Sequence, residues 1–165
     1  MAVKRRREPK NPKSCHERAL GLLAVRPRSR RELERRLLEA RFEADEVADV
    51  LVRLERVGLI DDEAFARQYA EHRFGRAQEG SRAVERGLRA AGIAPMLAAA
   101  TAEGGSEGEE ERAEQLAESK ARRMIGVEPR TAFNRLSSLL MRRGYSPEMA
   151  RRAARKALEL SFVDE

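Results

Sequence analysis

The feature that most constrains this chain is an apolar register repeated three times. Leu33, Leu37 and Phe42 align with Val84, Leu88 and Ile93 at an offset of 51, and those align with Leu136, Leu140 and Tyr145 at an offset of 52. Each set holds two residues one helical turn apart and a bulky residue just past the end of that helix. A period near 50 lies at the edge of the usual repeat range, and three copies fit the number that stacked arrays need. The competing reading, nine unrelated amphipathic helices in chance register, stays open on pattern alone.

Punctuation residues divide each block into helices. Ala19, Leu20 and Leu23 form one stripe, and Pro27 breaks it. Ser29 with Glu32 has capping-box spacing ahead of Leu33, Leu37 and Leu38. Val47, Val50, Leu51 and Leu54 mark a third helix, which glycine at 58 should end. In the second block Asp61 or Asp62 caps a helix bearing Phe65, Ala66 and Tyr69. A loop follows at 75–80, a helix ends at Gly92, and Pro95 opens a short Ala-rich helix. In the third, Leu116 lies on a helix from about Glu109 to Met124. Phe133, Leu136, Leu139 and Leu140 lie on the next, ending at Gly144. Ser146 and Pro147 then open a last helix through Leu160. No segment alternates long enough to be a strand. The reading is an all-α chain of three tandem three-helix modules at 15–60, 61–102 and 112–165. A basic tail (1–14) reads as disordered, and an acidic Gly-rich linker, EGGSEGEEE, spans 103–111.

Composition fits thin helical layers better than one large core: apolar residues make up 41%, aromatics only 4%, and Trp is absent. Charged residues reach 38%, against about a quarter in ordinary domains. The net charge of +6 favours a polyanionic partner, nucleic acid or an anionic membrane surface. Five of the 34 basic residues are lysine. So strong an arginine skew also fits a GC-rich coding bias, and part of the excess then has no recognition role. One cysteine, Cys15, allows no internal disulfide and fits a reducing compartment. No stretch approaches the ~18 apolar residues of a membrane span. The basic start has no apolar core of a secretory signal behind it. The expected location is the cytoplasm.

Nothing in the sequence supports catalysis or a cofactor. There is no Gly-rich phosphate loop, and His16, His72 and Cys15 are too few for a zinc site. Asp61 and Asp62 read as helix-start residues. The informative set is basic. Arg26, Arg28, Arg30, Arg31, Arg35 and Arg36 cluster around the second helix, diluted by Glu32, Glu34 and Glu39. Arg82, Arg86 and Arg89 occupy the matching helix of the second block at spacings of four and three, so they share one face. Arg142, Arg143, Arg151, Arg152, Arg155 and Lys156 supply the third. The candidate partner contacts are Arg30, Arg31, Arg35, Arg36, Arg82, Arg86, Arg89, Arg142, Arg143 and Arg152. Few aromatics are available for base stacking, so single-stranded DNA should be bound weakly.

Residues 58–66, GLIDDEAFA, resemble the signature of the RecX regulatory family. GSRAVERGLRAAGI at 80–93 and RRGYS at 142–146 are similar to the matching pieces of its second and third modules. The resemblance covers about residues 15–160. It implies an elongated, curved array of three-helix repeats with no catalytic residues. It also implies a partner, the RecA recombinase. Members lodge in the groove of the RecA filament on single-stranded DNA and block its extension or promote disassembly. They lower its ATP hydrolysis, strand exchange and co-protease activity. On this reading the chain is a monomeric negative regulator in DNA recombination, repair and the SOS response. The alternative is a stand-alone helix-turn-helix-like DNA-binding protein. Two departures stand out. Arg41 holds a place usually given to glycine, so the first module's turn is expected to differ. The insert at 103–111 is expected to alter the spacing of the second and third modules.

Overall fold

The computed structural model describes residues 13–163, with side chains through Glu159. The basic tail therefore lies outside the described residues, apart from Lys13 and Ser14. The helices are α1 (Cys15–Val25), α2 (Arg30–Glu39), α3 (Ala44–Arg56), α4 (Asp62–Gly75), α5 (Ser81–Ala90), α6 (Pro95–Glu103), α7 (Glu109–Ala121), α8 (Pro129–Arg142) and α9 (Pro147–Val163). One 3-10 turn, Arg122–Met124, follows α7. The described residues hold no strand. None of these helices is long and apolar enough to cross a membrane.

Capping chemistry sets several boundaries. Ser14, assigned to the tail on sequence, is the N-cap of α1. Its hydroxyl accepts the Glu17 N–H at 3.2 Å, and the Glu17 carboxylate accepts the Ser14 N–H at 2.8 Å. Ser29 caps α2 by accepting the Glu32 N–H at 3.1 Å. The Glu32 carboxylate is meanwhile bound by Arg26 and Arg28. α4 begins at Asp62, which puts Asp61 at the cap position and leaves Asp62 and Glu63 to complement the helix dipole. Ser146 accepts the Met149 N–H at 3.1 Å as α9 starts.

The acidic segment 103–111 is largely helical at its ends. Glu103 closes α6, and Glu109, Glu110 and Glu111 form the first turn of α7. Carboxylates favour that position because the first turn carries unsatisfied N–H groups and positive potential. Only residues 104–108 lie outside the helices.

Two compact units divide at Asp61 and Asp62. In the first, α1–α3 enclose Cys15, Ala19, Leu33, Leu37, Val47, Leu51, Leu54 and Ile60. Ile60 is the buried member of the Gly-Leu-Ile turn after α3. With Gly58 at φ +73°, the chain reverses and brings Ile60 back to the core while Leu59 stays exposed. Glycine pays no Cβ penalty there.

The second unit contains two cores. α4–α6 enclose Ala66, Val84, Leu88, Ile93 and Ala98. α7–α9 enclose Leu116, Leu136, Leu140, Tyr145 and a row of alanines on α9. Alanine is the commonest residue in both cores. Gly87 of α5 lies so close to the Tyr69 hydroxyl of α4 that a Cβ there would make the tyrosine shift.

The threefold register survives as geometry. After α2, α5 and α8 one residue turns left-handed: Arg41 (φ +67°), Gly92 (φ +90°) and Gly144 (φ +95°). The next N–H then reaches back to the helix, Phe42 to Leu37 at 3.3 Å, Ile93 to Leu88 at 3.0 Å and Tyr145 to Leu140 at 3.2 Å. The expectation that Arg41 changes the first turn is thus corrected. A non-glycine residue accepts this conformation at a cost of about 1–2 kcal/mol, and Arg41 is exposed, so its side chain meets no obstacle.

Candidate partner-binding surface

The ten sequence-chosen arginines fall into three environments. Arg30, Arg35, Arg89 and Arg152 form ion pairs. Arg30 meets Glu55 at 2.9 Å, Arg35 meets Glu39 at 2.6 Å, Arg89 meets Glu85 at 3.5 Å and Arg152 meets Glu110 at 2.8 Å. These pairs are exposed, and each contributes little to stability in water. They do cancel charge that a partner would otherwise read. Arg31, Arg36, Arg82, Arg86 and Arg142 stand in solvent. Among the described residues no carboxylate pairs with them.

Arg143 is structural. Its guanidinium donates to the Ala77 carbonyl, and its own carbonyl accepts the Gly80 N–H at 2.8 Å. Both partners lie in the loop between α4 and α5, so the turn after α8 docks onto the second module. The buried Tyr145 side chain donates its hydroxyl to the Gln78 carbonyl at 2.8 Å. Burial pushes this phenol up to about 12. A Cβ on Gly80 would meet the Gly144 carbonyl at 2.6 Å, and one on Gly144 would run into Ala83. Glu109 accepts the Ser81 N–H at 2.7 Å. Arg112 binds the Gly105 and Glu107 carbonyls and stacks over Phe74 at 4.7 Å. The contacts of Glu109, Arg112 and Gly80 are not legible in the sequence. No local pattern marks them, because their partners lie in another helix or another module.

Arg26 and Arg28 are likewise committed to the fold. Arg28 is buried, donates to the Leu22 carbonyl at 3.1 Å, and shares Glu32 with Arg26. Partial burial works against ionised Glu32, but the two guanidiniums overcome it and hold the carboxyl below the usual range.

Register shows which basic positions recur from helix to helix. Arg31 of α2 corresponds to Arg82 of α5, and Arg35 corresponds to Arg86. In α8 the same positions hold Asn134 and Ser138. The repeated guanidiniums therefore belong to the first two modules. Arg142 and Arg143 lie at the end of α8, away from that register.

The described residues contain no group of His, Cys, Asp and Glu able to hold a metal ion. The single thiol, Cys15, is buried, and burial followed by Glu46 raises its pKa, which disfavours the thiolate.

Comparison with known proteins follows the same threefold plan. Models of the first, second and third three-helix domains of RecX match residues 15–54, 61–101 and 108–154. The regulatory protein RecX of Streptomyces coelicolor is 38% identical over 141 residues, covering 85% of this chain and 75% of its own. That of Mycobacterium sp. strain JLS is 36% identical over 148 residues, covering 87% and 81%. The crystal structure of RecX from Lactobacillus salivarius superposes with a TM-score of 0.77 at 22% identity, covering 88% of this chain and 95% of that one. At that identity the superposition speaks for the fold, while the sequence relatives speak for the family. The chain belongs to the RecX family of regulatory proteins.

Proposed function

We propose that this protein is a negative regulator of a RecA-type recombinase. It acts as a monomer in the cytoplasm, without cofactor or catalytic residue. It occupies the groove of the recombinase filament on single-stranded DNA and restrains filament extension, ATP hydrolysis, strand exchange and co-protease activity. The observation that carries this reading is the solvent-facing Arg31 and Arg82, at one register position of α2 and α5, in a chain of a regulatory family. Guanidiniums fixed on a helix lose less freedom on binding than those of an unstructured segment. A filament of protein and phosphate offers them repeated anionic partners.

The test is recombinase ATPase on single-stranded DNA with the protein added below one copy per protomer. Wild-type protein should inhibit. R82A/R86A should keep its melting temperature, because exposed substitutions change stability by about 0.5 kcal/mol or less. It should need about tenfold more protein for the same inhibition, equivalent to about 1.4 kcal/mol. Deleting residues 1–13 should cost less. No inhibition at equimolar protein in low salt sinks the proposal. Nanomolar, sequence-dependent binding to bare duplex would favour a stand-alone DNA-binding protein.

A further inference from the structure

The turn after α7 carries a surface that the repeat does not explain. α7 stops at Ala121, a 3-10 turn covers Arg122–Met124, and α8 begins at Pro129. Between them lies a hydrogen-bonded β-turn. The Val127 N–H donates to the Met124 carbonyl at 3.0 Å. Ile125 has φ −56° and ψ 132°, and Gly126 has φ +79°. These are the angles of a type II turn, with glycine at the position that needs positive φ. The first and last residues of the turn, Met124 and Val127, pack against the core of the third module. Ile125 is therefore held from both sides and is still 65% exposed.

A lone exposed isoleucine would need no explanation. This one sits among unneutralised charge. Arg122, Arg123 and Arg130 are all exposed, and among the described residues no carboxylate pairs with them. The one carboxylate in the stretch, Glu128, is exposed and caps α8. It accepts the Arg130 N–H at 2.9 Å and both the Thr131 N–H and hydroxyl at 2.7 Å. The Thr131 hydroxyl, then the two backbone N–H groups, lower its pKa, so it stays ionised and committed to the cap. Elsewhere in the third module Arg152 and Lys156 are neutralised by Glu110 and Glu114.

We propose that the Arg122–Arg130 turn is a docking knob for an acidic protein surface that has a small apolar depression. Ile125 is the anchor, and the three guanidiniums form its charged rim. This rests on the proposed function, and it assigns the knob to the protein component of the filament. A phosphate backbone would satisfy the arginines but leave Ile125 in water, whereas an acidic protein face satisfies both. A preordered apolar side chain flanked by arginines has the composition of an interface hot spot. Its rigidity reduces the ordering cost of binding.

The experiment uses full-length wild-type protein, I125S and R122A/R123A. Each is assayed for inhibition of recombinase ATPase on single-stranded DNA and for binding to a bare labelled oligonucleotide. Circular dichroism melts should coincide, since all three positions are exposed. I125S should weaken inhibition about tenfold and leave oligonucleotide binding unchanged. R122A/R123A should weaken inhibition comparably and make it less sensitive to salt. Full inhibition by I125S overturns the knob. So does a loss in R122A/R123A that is equal on filament and bare oligonucleotide, which would assign the turn to phosphate. Wild-type protein that fails to inhibit brings down the underlying reading of function, a result the variants do not produce.

Discussion

The turn after α2 and the turn after α8 have the same backbone and opposite tolerances. Both pass through one left-handed residue and return an N–H to the helix. Arg41 makes the first turn in open solvent. Gly144 makes the other one buried, with its carbonyl against Gly80 and its α-carbon facing Ala83. Glycine can thus be required for two separate reasons, φ and space. The first turn shows that φ alone is a modest cost. The turn after α8 shows that a close backbone approach leaves no room for any side chain.

The largest effect should come from filling that space. Gly144→Ala adds left-handed strain and a clash with Ala83, about 3 kcal/mol together. Urea unfolding would measure it as a lower midpoint. A loss of no more than about 1–2 kcal/mol, the strain alone, would mean that the contact yields and the two turns are equivalent.

The reverse change, Arg41→Gly, should stabilise modestly. Relief of left-handed strain is about 1–2 kcal/mol, and the greater freedom of glycine in the unfolded chain offsets about half of it. A net gain of about 0.5–1 kcal/mol is expected by the same measurement. A loss would show that the Arg41 side chain contributes contacts that its exposure does not reveal.

A further effect shows only at alkaline pH. With a folded pKa raised to about 12 above an unfolded value near 10, Tyr145 contributes stability fully present below about pH 10. That contribution is lost as pH rises through about 12. Phenolate absorbance should show a component titrating near 12 that Tyr145→Phe removes. If the component removed by that change titrates near 10, the phenol is not buried in the joint and the contrast between the turns is weaker than drawn.

Helix existence was legible because apolar spacing and capping residues act within a few positions of one another. Ser29, Pro95, Ser146 and Pro147 each mark a boundary that the structure keeps. Ser14 was missed because the charged tail before it hid a capping pair that needs only Glu17. The candidate surface was less legible. Among the chosen arginines, Arg82 and Arg86 are exposed while Arg143 is spent inside the unit. Sequence records the charge of a residue and not whether a distant carbonyl or carboxylate has already claimed it.

By itself the sequence determined the helical class, the threefold register and the family resemblance, since all three are written in short-range spacing. Only the tertiary structure decided that α4–α9 form one compact unit. Only it turned the α8 end into a joint, and only it left Ile125 exposed between two anchored neighbours. Those outcomes depend on contacts between residues such as Tyr145 and Gln78, 67 positions apart. Local propensity carries no information about such pairs, because the free energy that fixes them arises only once the separate helices are packed.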